Sequence, residues 1–445
     1  MKIFNTLTGK TQQFSPINKG KVGMYVCGPT VYDFDHLGHA RTYIIFDTLV
    51  RFLKSLGYQV KYVQNITDVG NLVADQDEGE DKIEKKAKQE GKTPEKIARF
   101  YEQEHFADMA ALNVQKPDKS PRATGNIADI VRHIQMLIDK GFAYETGGNV
   151  YFNVGQFKDY GKLSHKNTAQ LLKNVRVKND PRKKNPADFA LWKKAVPAHL
   201  QQWDSPWGRG YPGWHIECSV MSTKYLGQPF DIHGSAVEHV FPHHENEIAQ
   251  SQAAYGKPLA NYFVHSGMVT IAGQKMSKSL KNYVLIKDLL KKYPADVIRL
   301  ALLQTYYRKP FDYNPQVFEL AKTRLRKILT ARTEAKKIGE NEKFRDKFSE
   351  VLSGDFNTPL ALSMIDEYLN KLTVSDFDFI SNIFGLRLQP VEIKLTAKQK
   401  ELIKEREKFR QAGDFKKADE VRTQLAKEGI YIEDTKNGPK GLTKL

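Results

Sequence analysis

Three consecutive segments near the amino terminus constrain this chain more than any other feature. GKVGMYVCG and YQVKYVQNITDV are apolar runs rich in Val and Tyr, the pattern of buried strands. Between them, HARTYIIFDTLVRFLKSLG has the length and spacing of an amphipathic helix. Two buried strands separated by a helix-length crossover form a parallel β-α-β unit, whereas antiparallel neighbours need only a tight turn. The expected fold class is α/β, built on a Rossmann-type parallel sheet.

A chain of 445 residues is too long for a single core. Residues 75–113 turn charged and helical, and Pro121, Pro181, Pro186 and Pro197 with the basic run RVKNDPRKK set 120–205 apart as an insertion. Strand-like stretches return at FDIHG and NYFVHSGMVTI, and from about Pro294 onward the pattern is almost wholly helical. The expected segments are 1–119 and 206–270 as two halves of a sheet domain, 120–205 inserted between them, then 271–320, 321–400 and 401–445. No internal repeat or long low-complexity tract is present.

The amino-terminal MKIFNTLTGK lacks an apolar signal core, and no stretch approaches the roughly 18 apolar residues of a membrane span. A cytoplasmic protein without a membrane partner is expected. Lys and Arg total 69 against 52 Asp and Glu, a net charge of +17. That balance favours a polyanionic partner, because neutralising phosphates releases counterions. No helix-turn-helix, zinc-finger or RNA-recognition signature accompanies the charge.

His36-Leu37-Gly38-His39 follows the first strand and opens a helix. Two imidazoles there, with free backbone N–H groups, suit phosphate oxygens, and Gly38 admits a nucleotide close to the backbone. A basic loop, Lys275-Met276-Ser277-Lys278-Ser279, begins at Ala272-Gly273 and can wrap a triphosphate. The chain has only two cysteines, Cys27 and Cys218, each set among histidines and carboxylates. A reducing cytosol disfavours a disulfide between them. With His243 and Glu247, four apart and so on one helix face, they would make a four-ligand zinc site. His244, Glu245, His239 and His215 are rival ligands.

The pair HLGH and KMSKS resembles the two signatures of class I aminoacyl-tRNA synthetases. CGPTVYDFDHLGHART, NITDV, SPWGRGYPGWHIECS, DIHG, FPHHENEIAQS and KMSKSLKN, in this order, resemble the cysteinyl-tRNA synthetases, from about residue 2 to 435 including ADEVRTQLAKEGIYIEDT. The resemblance implies a Rossmann-type catalytic domain (1–119 and 206–270) with an inserted connective domain (120–205). It also implies a KMSKS loop and stem-contact region (271–320), an α-helical anticodon-binding domain (321–400) and a small C-terminal tRNA-binding region (401–445). The implied activity is ATP-dependent ligation of L-cysteine to the 3′-terminal adenosine of tRNA-Cys through cysteinyl-adenylate. By this resemblance one Zn²⁺ is held by Cys27, Cys218, His243 and Glu247. Thr67, Trp214 and His233 line the cysteine pocket; Pro29, His36, Gly38, His39 and Lys278 bind ATP, taken with Mg²⁺. His36, His39, Lys275 and Lys278 are assigned to the phosphates as catalytic groups, in a monomer without an editing domain.

Two other readings are a cysteine ligase of the mycothiol pathway acting on an amino-sugar inositol, and a non-catalytic tRNA-binding relative. The basic helical region from about 321 argues against the first, and the intact HLGH, KMSKS and ligand quartet argue against the second. The chain departs from the family pattern at Ser235-Ala236, where small glycines are usual, and at Glu238-His239, where Asp and an aliphatic residue are. Lys281 replaces a glycine, and the tail NGPKGLTKL lacks a tryptophan.

Overall fold

The computed structural model describes residues 1–70, 81–167, 170, 180–197, 199–276, 282–335, 339–388, 395–428, 430–435 and 438–442. A short hairpin, β1 (Lys2–Asn5) and β2 (Lys10–Gln13), comes first. The expected β-α-β unit follows as β3 (Lys21–Val26), α1 (Leu37–Ser55) and β4 (Gln59–Gln64), with the strands parallel from Lys21↔Gln59 to Val26↔Gln64. α1 is more deeply placed than an amphipathic helix would be. Nearly every residue from Ala40 to Leu53 is buried, because the sheet covers one side and later helices the other.

The charged stretch forms a helical hairpin, α2 (Lys82–Glu90) and α3 (Pro94–Ala111), capped by Asp81 and Thr93, whose side chains take up the first free N–H groups. The insertion begins with α4 (Ile127–Asp139), which buries Ile127, Ile130, Ile134 and Leu137 on one stripe. α4 packs by a four-stranded antiparallel sheet of β5 (Ala143–Thr146), β6 (Asn149–Phe152), β7 (Phe189–Lys194) and β8 (Gly210–Pro212). The sheet therefore runs past the boundary expected at 205: β8 pairs with β7 through Trp192↔Pro212.

The chain then re-enters the parallel sheet through α5 (Trp214–Leu226), β9 (Phe230–Ala236), α6 (Glu245–Tyr255) and β10 (Ala260–Ser266). The strand order is β10-β9-β3-β4, all parallel. The chain leaves β3 toward β4 on one side and returns as β9 on the other, so the order reverses at β3. In open α/β sheets the crevice at such a reversal, beyond the carboxyl ends of the strands, is where ligands bind.

β11 (Val269–Ile271) pairs antiparallel with β12 (Gln274–Lys275) across a turn in which Ala272 and Gly273 both have positive φ, 51° and 75°. Two consecutive left-handed residues match the right-handed twist of a two-residue hairpin. α7 (Ile286–Lys292) and α8 (Ala295–Leu303) follow, then β13 (Phe311–Tyr313), which joins β11 in parallel. The remaining chain is α9 (Pro315–Glu334), α10 (Glu342–Ser353), α11 (Thr358–Tyr368), α12 (Val374–Phe384), α13 (Ala397–Gln411), α14 (Phe415–Lys427), β14 (Tyr431–Thr435) and β15 (Gly438–Leu442). The almost wholly helical pattern expected from about Pro294 onward is thus found, with β13 and the β14–β15 hairpin as additions to it. These strands are too short to show periodicity and exist through backbone pairing.

One continuous apolar core runs from Ile3 through α1 and α8 to Leu388, so α9–α12 are built onto the sheet rather than beside it. α13, α14 and β14 share a separate small core around Val421, Leu425, Ile430 and Ile432. The junction of sheet and helices rests on Arg299 of α8, whose side chain is 0% exposed. Its guanidinium donates to Asp47 Oδ2 of α1 at 2.6 Å, to the carbonyls of Leu112 and Asn113 after α3, and to Phe384 O at the end of α12. Arg41 of α1 similarly donates to the carbonyls of Thr305, Tyr306 and Lys309 beyond α8.

Removing one partner of a buried ion pair typically costs about 3–5 kcal/mol, since it strands the other charge. Arg299→Met is expected to lose roughly that much stability, and the accompanying drop in melting temperature is read by scanning calorimetry. A wild-type melting curve would show that the pair does not hold the junction together.

Candidate active site and metal centre

The crevice at the strand reversal collects side chains scattered over the chain. Cys27 follows β3, His233 lies on β9, Cys218 on α5, and His243 and Glu247 flank the start of α6. Gly28 after Cys27 permits the closest approach: a Cβ there would lie 1.6 Å from Asn65 O. Asn65 Oδ1 accepts from Gly28 N at 2.8 Å and lies 3.6 Å from Cys218 Sγ, so one amide steadies both cysteine segments.

Glu247, 0% exposed, is the hub. Its Oε1 lies 3.1 Å from His243 Nε2 and 3.8 Å from Cys27 Sγ, and its Oε2 lies 2.9 Å from His233 Nε2. Burial pushes the thiols of Cys27 and Cys218 and the carboxyl of Glu247 above their ordinary values. Burial, then the neighbouring imidazoles, pushes His243 and His244 well below theirs. Alone, therefore, the cluster favours neutral forms. A divalent cation is the charge that would allow two thiolates and a carboxylate to ionise there.

Ligand atoms of Cys27, Cys218, His243 and Glu247 all lie within 4.8 Å of one another, and so do those of Cys27, His233, His244 and Glu247. Tetrahedral zinc with bonds of about 2.0–2.3 Å spaces its ligands roughly 3.3–3.8 Å apart, so small adjustments would close either set. The partners of the imidazoles separate the two. A metal-binding histidine normally engages its second nitrogen. His243 does, with Nδ1 2.9 Å from His215 Nδ1, whereas His233 Nδ1 is buried with no hydrogen bond among the described residues. His244 of the second set meets the same condition through His265 Nε2 at 3.0 Å, so the two sets differ in this respect only at His233.

The rival ligands have other work. Glu245 accepts from the backbone N–H of Gly161, Leu163 and Ser164 and from the Ser164 hydroxyl, stapling the inserted segment to α6. His239 bonds Ser235 Oγ. His244 lies 3.2 Å from Cys27 Sγ, and a hydrogen-bonded row runs behind it through His265 to Thr6.

Beside this cluster opens a cavity of about 560 Å³, lined by Cys27, Pro29, His36, Gly38, His39, Trp214, Glu238, His239 and Lys275 among others. The expectation of free N–H groups at the start of α1 is corrected. Gly38 N donates to His36 Nδ1, His36 N to His39 Nδ1, and Leu37 N to Val284 O, so the signature caps its own helix. The start of this helix is therefore not an open array of donors. Lys275 lies on β12, and its Nζ is 2.9 Å from Glu238 Oε1, which gives that atypical glutamate a partner across the cavity. Ser235 and Ala236, the small departures before it, line the same cavity. Lys278, Ser277, Ser279 and Lys281 lie outside the described residues.

Of the residues assigned to a cysteine pocket, Trp214 packs its ring 4.5 Å from that of His243. His233 is fully buried against Glu247. Thr67 is set back from the cavity lining, its hydroxyl donating to Glu217 Oε2 at 3.0 Å and its N–H to Pro29 O. Sequence reasoning missed Asn65, Glu217, His265 and Asp35. Asn65 stands inside the quoted NITDV, Asp35 inside CGPTVYDFDHLGHART just before α1, and His265 at the end of β10, but only the fold shows what they face.

Residues 13–323 match the family of tRNA synthetases class I (C), catalytic domain, and residues 394–439 match the cysteinyl-tRNA ligase anticodon binding domain. The cysteine–tRNA ligase of Chlorobaculum tepidum is 41% identical, the match covering 98% of this chain and 98% of the relative. That of Thermococcus gammatolerans is 42% identical with the same coverage. Among solved structures, Mycobacterium tuberculosis methionyl-tRNA synthetase with methionyl-adenylate shares the fold, at 15% identity and a TM-score of 0.57, covering 83% of this chain and 88% of that one. The leucyl enzyme of Agrobacterium radiobacter K84 in its ternary complex has a TM-score of 0.54 at 12% identity, over 83% of each chain.

The separate roles of two neighbouring carboxylates give a direct test of the ligand set. Glu247→Gln is expected to lose bound metal, while Glu245→Gln keeps it and melts at a lower temperature. Metal content by atomic emission, compared with the melting curves, decides this. Full metal retention by Glu247→Gln would refute the assignment.

Proposed function

The chain belongs to the class I cysteinyl-tRNA synthetases, and we propose that it joins L-cysteine to tRNA-Cys through cysteinyl-adenylate, with Cys27, Cys218, His243 and Glu247 holding one zinc ion. The convergence of two cysteines, an imidazole and a buried carboxylate beside a cavity lined by the HLGH segment carries this reading. When bound, zinc supplies a soft Lewis-acid centre that prefers a thiolate to a hydroxyl. Shape alone would separate cysteine from serine poorly, since apolar contacts distinguish near-isosteres by only about 1–3 kcal/mol. The family and its C-terminal anticodon-domain match, at 394–439, also favour tRNA over an amino-sugar inositol as acceptor.

In this reading the chain's own groups orient the reactants. His233 holds one oxygen of Glu247 and His215 holds Nδ1 of His243, so both ligands are fixed before substrate arrives. Trp214 walls the cysteine side of the cavity, His233 lies buried behind it against Glu247, and Thr67 supports Pro29 from behind. ATP, with Mg²⁺, lies along Pro29, Gly38 and the two histidines. The cysteine carboxylate attacks the α-phosphorus in line and pyrophosphate leaves. A carboxylate needs no general base, so catalysis rests on positioning and on charge stabilisation by His36, His39, Lys275 and Lys278.

Lys275 must first leave Glu238. Their side chains are 54% and 36% exposed, and such pairs are worth only about 0–1 kcal/mol, a low barrier to exchange for a phosphate. The acyl group then passes to the 2′-hydroxyl of the terminal adenosine, with the helical region 321–400 and the segment 401–445 placed on the tRNA. The tRNA and ATP it uses fit a cytoplasmic location, and among the described residues no helix is long and apolar enough to cross a membrane.

Cys218→Ser is expected to lose zinc and at least a hundredfold of cysteine-dependent ATP–pyrophosphate exchange with its circular dichroism unchanged. Full exchange by that variant would sink the metal assignment. With a formal charge of +17, tRNA affinity should fall steeply with added salt, log K declining by about 0.7–0.9 per phosphate contact for each tenfold rise. A flat salt titration in filter binding would count against a phosphate-dominated interface.

A further inference from the structure

A row of hydrogen-bonded side chains leads away from the buried cluster around Glu247 and takes no part in the reaction as described. Cys27 Sγ lies 3.2 Å from His244 Nε2, His244 Nδ1 lies 3.0 Å from His265 Nε2, and His265 Nδ1 lies 2.8 Å from Thr6 Oγ1. The members come from four places in the chain: just after β3, just before α6, β10, and the turn between β1 and β2. Thr6 is itself pinned. Its N–H donates to Phe263 O at 2.9 Å, and its carbonyl accepts from Gly9 N and from His165 Nε2.

Each ring nitrogen in the row has a partner within it, so the row can run in one of two directions. A neutral imidazole has one N–H and one bare nitrogen. Burial, then the neighbouring imidazoles, holds both rings in that neutral form, with His265 pushed down to about 3. In one direction the Cys27 thiol donates to His244 Nε2, His244 Nδ1–H to His265 Nε2, and His265 Nδ1–H to Thr6 Oγ1. In the other, the Thr6 hydroxyl donates to His265 Nδ1, His265 Nε2–H to His244 Nδ1, and His244 Nε2–H to Cys27 Sγ. A hydroxyl serves both, since it can donate or accept.

Metal ligation settles the choice. The sulfur of a metal-bound cysteine has no proton and can only accept. The second direction is then the one in which every member has its partner, and a hydrogen bond to an anionic sulfur is stronger than one between neutral groups. The tautomer of His244 is set by what its Nδ1 bonds, and that of His265 by Thr6. Glu247 Oε1, 3.9 Å from the same His244 nitrogen, is too distant to take its proton.

We propose that His244 is a positioning residue for the metal centre: its Nε2–H donates to the thiolate of Cys27, and His265 and Thr6 hold the ring in the tautomer that has that proton. This rests on the reading of Cys27 as a metal ligand. It also gives the β1–β2 turn, which lies outside every sequence motif, a part in the site.

The test uses the full-length protein loaded with Co²⁺. Affinity is read by competition with a chelator, and the thiolate-to-cobalt absorption band reports on the sulfur. The variants are Thr6→Val, His265→Phe, the two combined, and His244→Phe. His244→Phe and His265→Phe are expected to weaken Co²⁺ binding about tenfold to a hundredfold, as loss of a ligand's hydrogen-bond partner does. Thr6→Val keeps the shape and loses the hydroxyl, and should weaken binding roughly threefold to tenfold, the scale of one hydrogen bond. In all three the band should move to longer wavelength, because a sulfur without its donor gives up electrons more readily. A packing role alone would leave the band in place. In the His265→Phe background Thr6→Val should have no further effect, because it acts through that ring.

Wild-type affinity and band position in both Thr6→Val and His265→Phe would overturn the proposal, and so would equal losses from Thr6→Val with and without His265. Complete loss of Co²⁺ by His244→Phe beside a wild-type Thr6→Val would make His244 a ligand itself and refute the positioning role. A wild-type protein that binds no Co²⁺ would instead remove the metal reading on which the proposal stands. Should His244→Phe lose its native melting transition, the Thr6 and His265 arms decide.

Discussion

The buried contact between Arg299 and Asp47 ties together four pieces of chain that share no local sequence logic. α1 carries the histidine signature at one end and Asp47 in its middle; Arg299 reaches it from α8 and also holds the ends of α3 and α12. Because the guanidinium is always charged and presents a rigid fork of donors, it can serve one carboxylate and several carbonyls at once, which a lysine could not. The position of His36 and His39 therefore depends on a cation well removed from the cavity. Arg41, one turn into the same helix, adds carbonyl contacts to the chain beyond α8.

The buried cluster around Glu247 solves the opposite problem. There the fold gathers groups whose charges would oppose each other and buries them where none favours its ionised form alone. Such an arrangement is stable as a set of neutral groups and becomes strongly attractive to one divalent cation. Glu247 bridges two imidazoles, Asn65 braces both cysteine segments, and Glu245, two residues from Glu247, fastens the inserted sheet to the same helix. One turn of α6 thus carries the hub of the buried cluster with one carboxylate and a domain fastener with the other.

The β-α-β unit and the gathering of Cys27, Cys218, His243 and Glu247 at one place were legible in the primary structure because both rest on strong signals, buried strand periodicity and rare cysteines. Pairing by backbone left no such signal: β8 and β13 are three residues each, and the β14–β15 hairpin hides in a charged tail. The departure at Glu238 could be seen but not interpreted, since its partner Lys275 is far along the chain and meets it only across the cavity. The self-capping of HLGH was also out of reach. A motif read as an array of open donors turns inward, because a helix start satisfies its own N–H groups whenever side chains can do so.

The helices α9–α12 share the sheet's core, but among the described residues α13, α14 and β14 pack around only a handful of apolar side chains of their own. Small cores open at low free energy, so this end of the molecule is the part most readily remodelled without disturbing the rest. An RNA loop presents an irregular surface that rarely matches a rigid protein face. A weakly cored module can mould itself to such a surface while the site that handles cysteine stays rigid, and the division of stability along the chain becomes a division of labour between adaptation and discrimination.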